Sequence, residues 1–148
     1  DGNNVCHSWM IAASITGFQL RIATPAGFEP DPELFARCNE IAPESVLWSS
    51  DPQLMVDDAD AIITDVWVSM GQEKEAEEKR RLFMPYQVND RLIQRAADHA
   101  LLLHCLPAHR GDEVTAELID GPRSVAWQEA ENRMHAQCGL LVELLSEL

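Results

Sequence analysis

Short apolar segments alternate with helix-forming ones along the whole chain, and this pattern constrains the fold most. The clearest example is residues 61–66, which begin with the apolar run 61–63 and lead into a polar loop and then into the heavily charged segment 74–81. That order is typical of a buried strand followed by a loop and a solvated helix. Further strands are predicted at residues 18–23, 45–48, 101–104 and 124–127. Helices are predicted at residues 5–16, 33–41, 51–57, 74–82, 89–97, 115–119 and 129–147.

Strands and helices that alternate at this spacing predict the α/β class, with a doubly wound, Rossmann-like parallel sheet. We expect residues 1–148 to form one domain, because 148 residues is the length of a single ordinary domain. The sequence contains no apolar run near the roughly 18 to 20 residues that a membrane-spanning helix needs.

The net charge and the spacing of the cysteines limit which ligands and which cellular compartment suit this chain. The net charge of −14 argues against a nucleic-acid surface, where Lys and Arg must neutralise phosphates, and is compatible with a cationic substrate. The four cysteines form no C-x-x-C pair, which favours free thiols in a reducing cytoplasm.

Both ends of the chain suggest a larger protein. Residues 1–4 (Asp-Gly-Asn-Asn) are typical of a turn, yet no strand stands before them. We therefore expect an upstream strand that is the first, and a central, strand of the sheet. The last helix, including residues 130–148, has an apolar stretch at 139–145. That helix is expected to pack either on its own sheet or on something outside the chain.

Polar residues follow the predicted strands in four places: residues 1–4, 65–71, 104–107 and 129–133. Ligands of parallel α/β sheets bind outside the carboxyl ends of the strands, so these residues are candidates for one site. Each also has a purely structural explanation. Asn3 or Asn4 can cap a helix, Asp65 can cap a turn, Cys105 can be a small buried residue, and Arg133 can pair with Glu129.

Two other kinds of chemistry are weighed at this edge. His104, Cys105 and His109 are close in sequence, but adjacent side chains of a strand alternate faces and no zinc-type spacing is present, so no metal is expected. A nucleophilic Cys105 would need a lowered pKa, whereas a nearby Asp65 would raise that pKa. A neutral thiol that contacts the substrate is therefore favoured. No G-x-G-x-x-G motif is present, and no cofactor is expected.

Three motifs together resemble the ornithine carbamoyltransferases: Asp65-x-x-x-Ser69-Met70-Gly71, the tetrapeptide His104 to Pro107, and the pentapeptide Glu129 to Arg133. The resemblance covers essentially the whole chain, but only the carboxy-terminal, ornithine-binding domain of that family. The family's amino-terminal carbamoyl-phosphate domain, with its Ser-Thr-Arg-Thr-Arg and His-Pro-x-Gln motifs, has no counterpart in this sequence.

The resemblance implies transfer of a carbamoyl group from carbamoyl phosphate to the side-chain amine of L-ornithine. The products are citrulline and phosphate, in arginine biosynthesis or catabolism. It also implies a homotrimeric, cytoplasmic enzyme. The residues expected to hold ornithine are Asn4, Asp65, Ser69 and the Met70 backbone.

For the reacting groups, the resemblance implies catalytic roles for Cys105 and Asp65. Contacts to the carbamoyl group are expected from Cys105, Leu106 and Arg133. Two alternatives stay open: a carbamoyltransferase for putrescine or N-acetylornithine, and a non-catalytic amino-acid-binding remnant. The chain alone is expected to be inactive.

Overall fold

The computed structural model describes residues 1–68 and 76–146. The helices are α1 (Asn4–Thr16), α2 (Pro32–Ile41), α3 (Pro52–Val56), α4 (Ala76–Phe83), α5 (Asp90–Ile93), α6 (Ala116–Ile119) and α7 (Ala126–Ser146). The strands are β1 (Leu20–Ala23), β2 (Val46–Ser49), β3 (Ala61–Thr64) and β4 (Leu101–His104). A 3-10 turn, Met84–Tyr86, follows α4.

Local side-chain chemistry fixes where several helices begin. Asn3 caps α1 by accepting the Cys6 N–H at 3.0 Å. Asp31 and Asp51 cap α2 and α3 in the same way, each directly before a proline that suits the first helical position. Gly17, with φ of 85°, ends α1 in the left-handed conformation that glycine adopts without strain.

All four strands pair in parallel, which confirms the predicted fold class. β1 pairs with β2, with Leu20 opposite Val46, and β3 pairs with β4, with Ala61 opposite Leu101. The sheet is divided, however: in the described part of the chain β1 and β3 are not hydrogen-bonded to each other.

Some predicted boundaries were wrong. The predicted strand at 124–127 is only a parallel bridge between Ser124 and Leu102, because the chain turns into α7 at Ala126. Strand β3 ends at Thr64 and not at residue 66, and the Asp65 side chain accepts the Val66 N–H directly after it. The predicted helix 89–97 is helical only over Asp90–Ile93.

Two hydrophobic clusters support the two strand pairs. One joins α1 and α2 to β1 and β2, with Met10, Ala13, Ile22, Cys38 and Val46 at its centre. The other surrounds β4 and contains eleven buried residues between positions 56 and 126. The second cluster includes Ile62 of β3 and Leu102 of β4, and it supports these two strands side by side.

Helix α7 leaves this body soon after it begins. Ala126 is buried and Glu129 is half-buried, but the other side chains of α7 are exposed. The apolar residues of its second half therefore do not pack on the chain's own sheet. Among the described residues no helix is long and apolar enough to cross a membrane.

Candidate active site

Asp65 lies at the centre of the candidate site, directly after β3. Its Oδ1 accepts the Val66 N–H at 2.7 Å and the Cys105 thiol at 3.3 Å. Its Oδ2 accepts the Asn3 side-chain amide at 3.2 Å. The ends of β3 and β4 and the start of α1 therefore meet at one carboxylate, as parallel strands predict.

Cys105 presents a neutral thiol to this carboxylate. Although the residue as a whole is exposed, partial burial of its sulfur, followed by the hydrogen bond to Asp65 and the charges of Asp65 and Glu129, raises its pKa to about 11. The direction is the one predicted from the sequence. A thiol protonated at neutral pH contacts a substrate but does not attack it as a nucleophile.

A buried pair, His104 and Glu113, supports the turn that carries Cys105. Both side chains are fully buried, and His104 Nε2 lies 3.1 Å from Glu113 Oε1. The Leu106 N–H donates to His104 Nδ1 at 2.9 Å, so Nδ1 is an acceptor and Nε2 carries the proton toward Glu113. This bond holds Leu106 at φ of 56°, a conformation that non-glycine residues seldom adopt.

The same hydrogen bonds make His104 a poor metal ligand. Both ring nitrogens of His104 are engaged, so neither has a lone pair to offer a metal ion. Over residues 1–68 and 76–146 no group of three or more His, Cys, Asp or Glu side chains is arranged to hold one.

Glu129, in the first turn of α7, is a second carboxylate near Cys105. Its Oε2 is buried without a hydrogen-bond partner among the described residues. Burial, the largest cause, raises its pKa, and so does the charge of Asp65. Sequence reasoning considered Glu129 only as an ion-pair partner of Arg133. A glutamate at the start of a helix has an ordinary structural explanation, and nothing in the sequence signals its burial.

Arg133 lines a cavity next to this turn. A cavity of about 550 Å³ is lined by Cys105, Leu106 and Arg133, so three of the predicted residues share one space. Arg110 lines the same cavity but is bound by Asp120 through two contacts of 2.7 and 2.8 Å. Arg133 has no ion pair in the part of the chain that the structure describes.

Other predicted residues are not brought to Asp65. Asn4 is exposed, and its side chain makes no hydrogen bond to another described residue, whereas its neighbour Asn3 binds Asp65. The sequence left Asn3 and Asn4 open as helix caps, and the structure selects Asn3. Ser69 and Met70 lie outside the described residues, so their roles stay predictions.

Comparisons with known proteins identify the class of protein that this fold and site define. Residues 1–144 match the family described as aspartate/ornithine carbamoyltransferase, Asp/Orn binding domain. The chain belongs to that family.

The relatives that it matches are named ornithine carbamoyltransferase. Those from Pyrococcus horikoshii and Halalkalibacterium halodurans are 53% and 51% identical over 98% of this chain, which spans 47% and 46% of their lengths. The solved ornithine carbamoyltransferase of Pyrococcus furiosus superimposes with a TM-score of 0.90 at 51% identity, over 96% of this chain and 46% of that one. The anabolic enzyme of Campylobacter jejuni gives a TM-score of 0.91 at 36% identity, over 100% of this chain and 50% of that one. The chain thus spans about half the length of these relatives.

Proposed function

We propose that this chain is the amine-binding half of an ornithine carbamoyltransferase. The observation that carries the proposal is the convergence of Asn3, Asp65 and Cys105 at the carboxyl edge of parallel strands. In the whole protein, the side-chain amine of L-ornithine attacks the carbonyl carbon of carbamoyl phosphate. The bond from that carbon to the phosphate oxygen breaks, and citrulline and phosphate leave.

The charges at the site suit a diamino acid. Asp65 is a carboxylate that can bind an ammonium group, and Glu129 adds a second one close to the same thiol. Asn3 occupies Oδ2 of Asp65 and fixes its orientation. Asn4, Ser69 and the Met70 backbone are proposed to complete the hold on the amino-acid end, as the family resemblance implies.

The amine must lose a proton before it attacks. An alkyl ammonium with a pKa near ~10.4 costs about 4.6 kcal/mol to deprotonate at neutral pH, at ~1.36 kcal/mol per unit. Glu129 is suited to accept that proton, because its Oε2 is unpaired among the described residues and its pKa is raised by burial. Positioning of the amine against the carbonyl can supply roughly 7 to 11 kcal/mol more.

The carbamoyl side of the site is assigned to the cavity beyond Cys105. Cys105, Leu106 and Arg133 line that space. The backbone carbonyls of Cys105 and Leu106, with Arg133, are proposed to contact the carbamoyl group, as the family resemblance implies. A chain of net charge −14 is a poor host for the phosphate dianion. The phosphate is therefore proposed to be bound by another domain, in a cytoplasmic homotrimer.

A chimeric enzyme tests this function. The chain is joined behind the amino-terminal half of the Pyrococcus horikoshii relative, and citrulline formation is measured with ornithine and carbamoyl phosphate. We expect turnover by the chimera and none by the 148-residue chain. Replacing ornithine with putrescine should abolish turnover, and a preference for putrescine would contradict the assignment.

A matched pair of variants locates the chemistry within the chimera. Asp65→Asn should lower kcat/KM for ornithine by about 10²-fold, because loss of a charge-assisted hydrogen bond costs roughly 1.5–3 kcal/mol. Asp98→Asn alters an exposed aspartate with no hydrogen bond among the described residues and should leave kcat/KM unchanged. Equal effects of the two substitutions would reject Asp65 as an ornithine ligand.

A further inference from the structure

A largely buried ion pair, Lys79 with Asp1, lies beside the candidate site. Lys79 Nζ, on α4, donates to Asp1 Oδ2 at 2.6 Å, and each side chain is only 15% exposed. The other described pairs between Arg and Asp, such as Arg80 with Asp112, join side chains that are at least 27% exposed. Water and salt therefore screen the Lys79–Asp1 pair less than they screen those surface pairs.

Two aromatic rings hold the ammonium group of Lys79 in this position. Its Nζ lies 5.4 Å from the ring centroid of Phe28 and 5.4 Å from that of Phe83. A ring face attracts a cation at this distance, so both rings stabilise the charged form. Burial lowers the pKa of Lys79, whereas the charge of Asp65 acts in the opposite direction and raises it. Lys79 is thus a fixed cation, paired with Asp1 and within electrostatic range of Asp65.

Asp1 and Asp65 belong to the same part of the molecule. They line one cavity together with Asn3, whose uncharged amide donates to Asp65 at 3.2 Å. The other described donors to Asp65, the Cys105 thiol and the Val66 N–H, are uncharged as well. Within residues 1–68 and 76–146, the charge of Asp1 is therefore neutralised by an ion pair and the charge of Asp65 is not.

We propose that Lys79 is a specificity-determining residue that favours an amino acid over a diamine, because it neutralises Asp1 and leaves Asp65 open to an ammonium group. This inference rests on the proposed function, in which Asp65 binds an ammonium group of ornithine. It assigns to Lys79 the control of how much negative charge the amino-acid end of the substrate meets.

The charges of the two kinds of substrate explain the selection. L-ornithine carries a carboxylate beside its α-ammonium group, whereas putrescine has two ammonium groups and no carboxylate. One uncompensated aspartate suits the amino acid, since it attracts the α-ammonium group without a second negative charge that repels the carboxylate. Without Lys79, Asp1 would supply that second charge. The site would then bind a diamine better and ornithine less well.

The test compares variants of the chimeric enzyme in citrulline formation. The KM for ornithine is measured, and putrescine is added as an inhibitor to give its inhibition constant, Ki. Lys79→Gln removes the cation, and Lys79→Arg keeps it. Arg80→Gln is the matched control, because it removes the ion pair with Asp112 from the next position of the same helix.

We expect Lys79→Gln to lower the ratio of the putrescine Ki to the ornithine KM by about tenfold, because the charge of Asp1 is then uncompensated. Asp1→Asn should raise the same ratio, since it leaves the Lys79 cation uncompensated and this cation repels a diamine most. Lys79→Arg and Arg80→Gln should keep the parent ratio. A residue that only stabilised the fold would not move the ratio in opposite directions in the two single variants.

A double variant separates charge from structure. Asp1→Asn combined with Lys79→Gln breaks the ion pair but leaves the summed charge of the site as it was, so the ratio should return to near the parent value. An unchanged ratio in Lys79→Gln or in Asp1→Asn would overturn the proposal. A double variant that is as altered as Lys79→Gln would also overturn it. If the parent chimera forms no citrulline, the proposed function itself is rejected, and this inference with it.

Discussion

The Cys105 thiol donates a hydrogen bond of 3.3 Å to Asp65 Oδ1, across 40 residues of sequence. The two residues follow adjacent parallel strands, β4 and β3, in matched register. Burial raises the pKa of the Cys105 thiol most. The hydrogen bond that the thiol donates and the negative charge of Asp65 raise it further, so Cys105 stays in its neutral form. This relationship makes the chemistry of the site measurable even in the isolated chain.

The first prediction concerns the reactivity of Cys105. Its pKa of about 11 means that alkylation by iodoacetamide should be slow at neutral pH and should rise toward that value, because only the thiolate reacts. Burial, the largest cause of the raised pKa, stays in Asp65→Asn, but the substitution removes the carboxylate's charge and should accelerate alkylation at pH 8 severalfold. Mass spectrometry of the alkylated peptides measures both rates.

The exposed Cys138 on α7 is the internal control for that experiment. Its alkylation rate should be the same in the parent chain and in Asp65→Asn. If Cys105 reacts at the same rate in both proteins, Asp65 does not control its protonation.

The second prediction separates Asn3 from Asn4. Asn3→Ala removes the cap of α1 and the bond to Asp65, so the free energy of unfolding in urea should fall by about 1 kcal/mol, within a range of roughly 0.5–2. Asn4→Ala should change it by less than about 0.5 kcal/mol, as for an exposed side chain. In the chimera, Asn4→Ala should instead raise the KM for ornithine. The assignment of the cap fails if Asn4→Ala is the more destabilising change.

The third prediction concerns the buried His104–Glu113 pair. Glu113→Ala leaves the buried His104 Nε2–H and the part-buried His109 N–H without their acceptor, and an unsatisfied buried donor costs roughly 1–3 kcal/mol. Glu113→Gln keeps an acceptor oxygen and should be milder. Urea denaturation measures both changes, and Glu117→Ala, at an exposed position on α6, provides the control. A neutral effect of Glu113→Ala would show that the pair does not support the turn.

The fourth prediction concerns Arg133 in the chimera. Arg133→Ala should lower kcat/KM for carbamoyl phosphate by about tenfold or more, because a hydrogen bond to a charged group contributes roughly 1.5–3 kcal/mol. Arg37→Ala, on the exposed face of α2, is the matched control and should have no effect. Initial rates at varied carbamoyl phosphate check the result. A change in the KM for ornithine alone would assign Arg133 to the other substrate.

The fifth prediction follows Glu129 through pH. Its raised pKa makes it a better proton acceptor, and kcat/KM of the chimera should fall as Glu129 is protonated at low pH. Glu129→Gln should remove that acidic limb and lower the maximal rate. Glu131→Gln, an exposed neighbour on α7, should preserve the limb. An unchanged pH–rate profile in Glu129→Gln would exclude Glu129 as the proton acceptor.

Local sequence determined the class of the fold. The period of apolar residues is a property of consecutive positions, and it predicted the alternating parallel strands and the bounds of β4 exactly as found, Leu101–His104. The predicted starts of α2 and α3, residues 33 and 51, lie within one residue of those found, because capping by Asp and the fixed φ of proline act within one turn. The meeting of Asp65 and Cys105 was also predictable, since parallel strands end at a common edge.

Tertiary structure alone decided the rest. Asn3 and Asn4 have the same intrinsic preference for a cap, and the hydrogen bond from Asn3 to Asp65 is formed only in the folded chain. The burial of His104, Glu113 and the Oε2 of Glu129 depends on side chains far away in sequence, so no local pattern signals it. The spacing of residues does not show which strands pair. That β1 pairs with β2, and β3 with β4, is decided by hydrogen bonds between segments distant in sequence.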